Sequence, residues 1–132
     1  MKFYSEEIDI EVGAIGCTLT FNEEKADPEI EMCMSTKELM NRTLKYILLQ
    51  RTYAEGDFEE DHYYFEPTNF DKACELKDFV MELYRSRFEL TINGDFYQVQ
   101  FNHDDATFEK LKSALEIVTN GTGSLTIHTI AE

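Results

Sequence analysis

Positive charge is scarce in this chain. Of 132 residues only 12 are Lys or Arg against 27 Asp or Glu, a net charge of −15. Such an excess repels nucleic-acid backbones and anionic lipid surfaces alike, so no direct binding of DNA, RNA or membrane is expected. Long apolar runs are missing as well, and none approaches the roughly 18 residues of a membrane span. The first residues, Met1-Lys2-Phe3-Tyr4-Ser5-Glu6-Glu7, lack the apolar stretch of a secretory signal and turn acidic at once, which predicts a cytoplasmic address. Cysteine is limited to Cys17, Cys33 and Cys74, an odd set with no C-x-x-C pair. These thiols are expected to pack in a reducing compartment and to form no disulfide.

Signatures of catalysis and of cofactors are also lacking. His62, His103 and His128 stand far apart and form no His/Cys ligand pair, so zinc is not expected. The six glycines contain neither G-x-G-x-x-G nor a P-loop, which leaves nucleotide phosphates without a cradle. The acidic stretch Glu55–Asp61 lacks the spacing of a calcium loop. Neither a metal nor a cofactor is therefore predicted. No Ser, Thr or Cys sits on an element end beside a base. Cys17 and Cys74 read as core filling, Cys74 inside a helix, while Cys33 is the one thiol expected at the surface, its reactivity lowered by the neighbouring Glu29 and Glu31. The one dense polar triplet is His103-Asp104-Asp105. It stands where a helix N-cap belongs, and the alternative is a small enzyme with a carboxylate and histidine site there.

What is present is enough to fold: 42% of residues are hydrophobic and 13% aromatic, and the length suits one domain spanning 1–132. Ile8, Ile10 and Val12 alternate with Glu7, Asp9 and Glu11, and Cys17, Leu19 and Phe21 alternate with Thr18 and Thr20. The pattern predicts two strands joined as a hairpin across Gly13-Ala14-Ile15-Gly16. A third strand is expected over Ile30, Met32 and Met34. Ser35 and Glu38 form a capping box for a first helix running from Thr36 to about Tyr53, with the stripe Met40, Leu44, Ile47 and Leu48. His62-Tyr63-Tyr64-Phe65-Glu66 has strand propensity and Pro67 ends it. Thr68 and Asp71 resemble a second cap, and Ala73, Leu76, Val80 and Leu83 predict a second helix to about Ser86. Phe88, Leu90 and Ile92, then Asn93-Gly94, then Tyr97, Val99 and Phe101 predict a hairpin. A third helix follows with the stripe Phe108, Leu111, Leu115 and Val118, Gly121 at its C-cap, and a last strand at Leu125 and Ile127.

These elements predict an α+β fold: a mostly antiparallel sheet, about three helices packed on one face, and an acidic open face. Leu44, Leu48, Leu76, Val80, Phe88, Leu90, Val99, Phe101, Leu111 and Leu115 are assigned to the core. The open face is expected to carry Glu7, Asp9 and Glu11 from one strand, Glu29 and Glu31 from another and Glu89 from a third, provided these strands share a sheet. The loop residues Glu55, Asp57, Glu59, Glu60 and Asp61 add a second acidic element. A non-enzymatic binding or inhibitor protein is the expected function. It would dock a basic partner, such as a nucleic-acid-handling enzyme or toxin, as immunity and anti-defence proteins do, with Tyr4, Tyr63 or Tyr64 as anchors. A further alternative is a homo-oligomer in which the locally basic segment with Lys37, Arg42, Lys45 and Arg51 meets the acidic face of a second copy.

Overall fold

Alternating polarity sets up most of the strands found in the computed structural model, which describes residues 1–24, 35, 44–56, 59–120 and 122–128. Strand β1 (Lys2–Ser5) is followed by β2 (Glu7–Gly13) and β3 (Gly16–Asn22), which pair antiparallel across the two-residue turn Ala14-Ile15. Then come β4 (Tyr46–Thr52), β5 (His62–Pro67), a single 3-10 turn (Phe70–Lys72), β6 (Cys74–Glu75) and β7 (Val80–Leu83). Strands β8 (Arg87–Ile92) and β9 (Asp95–Phe101) form the expected hairpin, with Asn93 and Gly94 both at positive φ, as a type I′ turn requires. Helix α1 (Asp105–Thr119) and β10 (Ser124–Ile127) complete the described chain.

Among the described residues ten strands build two five-stranded sheets, one in the order β1-β9-β8-β7-β10 and the other β2-β3-β4-β5-β6. The first is mixed, because β1 runs parallel to β9 and β10 parallel to β7; the second is antiparallel throughout. The chain changes sheet at Ser5. Its buried hydroxyl lies 2.9 Å from the carbonyl oxygens of both Glu7 and Asn22 and donates to them, which satisfies a polar group at the crossing. Inner faces meet through aromatic rings: Phe21 of β3 stacks on Phe88 of β8 with centroids 4.9 Å apart, and Phe65 of β5 meets Tyr97 of β9 edge-on at 5.2 Å. Helix α1 lies against β2, β3 and β4 of one sheet and β10 of the other. Its Leu111, Ala114, Leu115 and Val118 join the same buried cluster.

The predicted three-helix packing on one sheet is thereby overturned: the fold is mostly β, with α1 as the one α-helix among the described residues. Over Tyr46–Thr52 the expected first helix is instead strand β4, lying between β3 and β5. The run Ile47-Leu48-Leu49 satisfies helical and strand periods equally, and two flanking strands offer its backbone a complete set of partners. The second helix is absent for a different reason. The Thr68 hydroxyl does not cap; it accepts from the backbone N–H of Tyr46 at 2.7 Å and donates to its carbonyl at 3.2 Å, tying β5 to β4. Asp78 then takes a left-handed φ of 52°, which no helix interior accommodates. After it Phe79, Met81 and Leu83 are buried while Val80 is 52% exposed, so period two prevails. Cys74 accordingly lies on a strand.

Of the predicted core, Leu76, Phe88, Leu90, Val99, Phe101, Leu111 and Leu115 are buried. Leu44 and Leu48 are only half-buried and Val80 faces solvent, all three having been assigned on helical spacing. The proposed strand at Ile30, Met32 and Met34, the Ser35–Glu38 box with Thr36, Lys37, Met40 and Arg42, and the Gly121 C-cap involve positions outside the described residues. No described helix is long and apolar enough to cross a membrane.

Candidate functional site

Cross-strand register decides which charges share a face, because directly paired residues project to the same side of a sheet. Asp9 of β2 pairs with Thr20, Thr20 with Leu48, and Leu48 with Glu66. One row over, Glu11 pairs with Thr18, Thr18 with Gln50, Gln50 with Tyr64 and Tyr64 with Glu75. Glu7 pairs with Asn22 and Asn22 with Tyr46. The outer face of the β2–β6 sheet thus carries the carboxylates Glu7, Asp9, Glu11, Glu66 and Glu75, and its outward strand positions include no Lys or Arg.

Side chains on this face hold one another in place. The Tyr46 hydroxyl donates to Glu66 Oε2 at 2.6 Å and the Tyr64 hydroxyl to Glu66 Oε1 at 2.7 Å. Burial, then the carboxylate it bonds, pushes the Tyr46 phenol up to about 12. Tyr64 is raised mainly by its own bond to Glu66, so both phenols stay protonated donors. Gln50 Nε2 donates to Thr18 Oγ1 at 3.0 Å, and Asn22 Nδ2 to Asp9 Oδ2 at 3.2 Å. Beside β5 and β6 an open groove of about 680 Å3 is bordered by Glu60, His62, Tyr64 and Glu75.

Not every predicted acidic residue joins this face. Glu89 lies on β8 in the other sheet, 2.8 Å from Arg87 Nε and across from Gln98, so the single acidic face that included it is corrected. Glu29, Glu31, Cys33 and Asp57 are outside the described residues. Glu55, Glu59 and Glu60 are exposed in the loop before β5, whereas Asp61 turns inward. It accepts from the Ala54 N–H at 2.9 Å and forms an ion pair with Arg51 at 2.7 Å. Arg51 also donates from Nη1 to the Ile117 carbonyl in the last turns of α1 and lies over the rings of Tyr53 and Tyr63. It is therefore a structural tie, not part of the free basic surface that self-assembly called for. Of the three tyrosines expected as anchors only Tyr64 is on the acidic face; Tyr63 donates to the Asn120 carbonyl at 2.7 Å, and Tyr4 is exposed on the other sheet.

The triplet before α1 does not converge on a common point. Asp104 is the N-cap, its Oδ1 accepting from the Thr107 N–H at 2.8 Å. Asp105 pairs with Arg85 at 2.9 Å, and the His103 ring tilts against Phe101, its Nε2 buried with no hydrogen-bond partner. The bonds to Thr107 hold the Asp104 carboxyl below its ordinary value of 3.8. A depressed carboxyl stabilises the fold above that value and loses the contribution as pH falls through the lowered one. Asp104→Ala should accordingly lower the melting temperature near neutral pH, with the gap from wild type narrowing in acid; a gap constant with pH would show that charge plays no part in the cap.

Cys17 is buried on β3 with its thiol pushed up by burial, and Cys74 Sγ lies 3.1 Å from Asn93 Nδ2. Among the described residues no three His, Cys, Asp or Glu side chains gather closely enough to hold a metal ion. Glu66, Glu75 and Tyr46 were missed by sequence reasoning. The Tyr64 and Glu66 alternation in β5 carried the signal, but the register that sets them beside Asp9 and Glu11 is a tertiary property. No protein-family model, curated protein or solved structure matches this chain.

Proposed function

We propose that this chain is a non-enzymatic binding protein that docks a basic protein surface on the outer face of its β2–β6 sheet. One observation carries the reading: five carboxylates share a face whose outward strand positions hold no Lys or Arg, with Lys77, just past β6, 3.5 Å from Glu75 at its margin. Complementary charge accelerates encounter, and Tyr64 and the half-buried Leu48 offer contact area once water leaves. Enzymes that grip nucleic acid present basic surfaces of this kind, and a protein seated there acts as an inhibitor.

The test is the double variant Asp9→Lys, Glu11→Lys, whose positions are exposed, compared with wild type in cross-linked complexes from the expressing cell. The circular dichroism spectrum should not change. A stoichiometric basic partner should associate about tenfold more slowly at low salt with the variant, and wild-type affinity should fall steeply as salt is added. An association rate unchanged by the double reversal would remove the face from consideration.

A further inference from the structure

The longest edge strand among the described residues is β2, seven residues against four for β1 and β10 and two for β6. It has β3 on one side and no described strand on the other. Its turn closes at the pair Gly13–Gly16, so bonded and non-bonded pairs alternate from there. The N–H and C=O groups of Ile8, Ile10 and Val12 are the ones turned away from β3. The side chains of these residues continue the inner apolar face beyond the buried row Cys17, Leu19 and Phe21, yet Ile8 and Ile10 are only half-buried and Val12 is 59% exposed. At the hairpin end Ile15 is 82% exposed, and a hollow of about 480 Å3 there is lined by Ile10, Val12, Ile15, Glu11 and Gln50. An apolar layer, a backbone edge with no described strand beside it and a hollow therefore lie together along β2.

We infer that β2 accepts an added antiparallel strand from the partner, an extended segment alternating Lys or Arg with apolar residues. This rests on the basic-partner reading and specifies its mode. The alternation follows from the two sides of β2. Apolar residues opposite Ile8, Ile10 and Val12 extend the inner layer and supply the backbone bonds, while basic residues opposite Asp9 and Glu11 sit at non-bonded pairs, where facing side chains approach most closely. A second copy of this chain is the wrong occupant, because antiparallel β2–β2 pairing sets carboxylate against carboxylate. The acidic strand guards the edge against its own kind.

The probe is a capped heptapeptide alternating lysine and valine, titrated into the intact protein by fluorescence anisotropy and followed by amide hydrogen exchange. Binding should slow exchange at Ile8, Ile10 and Val12. N-methylation of the valines, which face β2, should weaken binding by about tenfold or more, while N-methylation of the lysines, whose amides face away, should leave it nearly unchanged. A peptide of the same composition with its lysines in one block should bind more weakly. If valine methylation is harmless, or the block peptide binds as well, strand addition is overturned and docking on the acidic face stands. If Asp9→Lys, Glu11→Lys leaves peptide affinity and its salt dependence unchanged, the basic-partner reading itself falls.

Discussion

Replacing Phe21 with alanine should destabilise the protein by about 3–5 kcal/mol, the cost of truncating a fully buried aromatic ring. Phe21 is 0% exposed, stacks on Phe88 at 4.9 Å and lies 6.4 Å from Phe101, so one side chain of β3 meets two strands of the opposite sheet. A ring of that volume leaves a cavity that ten paired strands cannot close by shifting, and the stacking is lost with it. Small domains hold roughly 5–15 kcal/mol in all, so the variant should sit near the edge of unfolding. Urea denaturation monitored by circular dichroism measures the loss. A cost below about 1 kcal/mol would mean that the sheets do not meet through this ring.

Arg51→Met should be the second costly substitution, by about 1.5–3 kcal/mol for the loss of hydrogen bonds from a charged donor. The guanidinium joins the Asp61 carboxylate, the Ile117 carbonyl at 2.9 Å and the faces of Tyr53 and Tyr63. It thereby fastens the end of β4 to the C-terminal turns of α1, where a cation also meets the negative end of the helix. Asp61 gives the interaction its pH dependence. The Ala54 N–H, then the bond to Arg51, lower its carboxyl below the ordinary 3.8. The pair therefore stabilises the fold above that value and stops doing so as pH falls through the lowered one. Thermal melts of Asp61→Asn should lie below wild type near neutral pH and converge with it in acid. A difference of the same size at both ends would show that the carboxylate charge is not what holds Arg51.

Strand pairs linked by short turns were legible from the residues alone. Asn93-Gly94 demands positive φ at both positions, and Gly16 admits no side chain because a Cβ there would collide with the Arg51 carbonyl oxygen. Helix α1 was legible too, since an Asp cap and a stripe of period 3.6 leave no strand alternative over fifteen residues. Tyr46–Thr52 and Cys74–Leu83 were not. Their apolar residues fit two periods at once, and the choice between them was made by strands far away in the chain.

For the candidate site, composition established the excess of acid, and alternation placed Glu7, Asp9 and Glu11 on one side of β2. That much is local, because successive side chains of a strand point to opposite faces whatever surrounds them. Whether Glu66 and Glu75 join them, whether Glu89 lies elsewhere, and whether Asp61 is free or held by Arg51 depend on which strands neighbour which. Backbone pairing between distant segments is decided by the burial of their shared inner face, here the stacked rings of Phe21, Phe88 and Phe101. The outer face inherits its arrangement from that choice, and so the clustering of its carboxylates is a by-product of how the core closes.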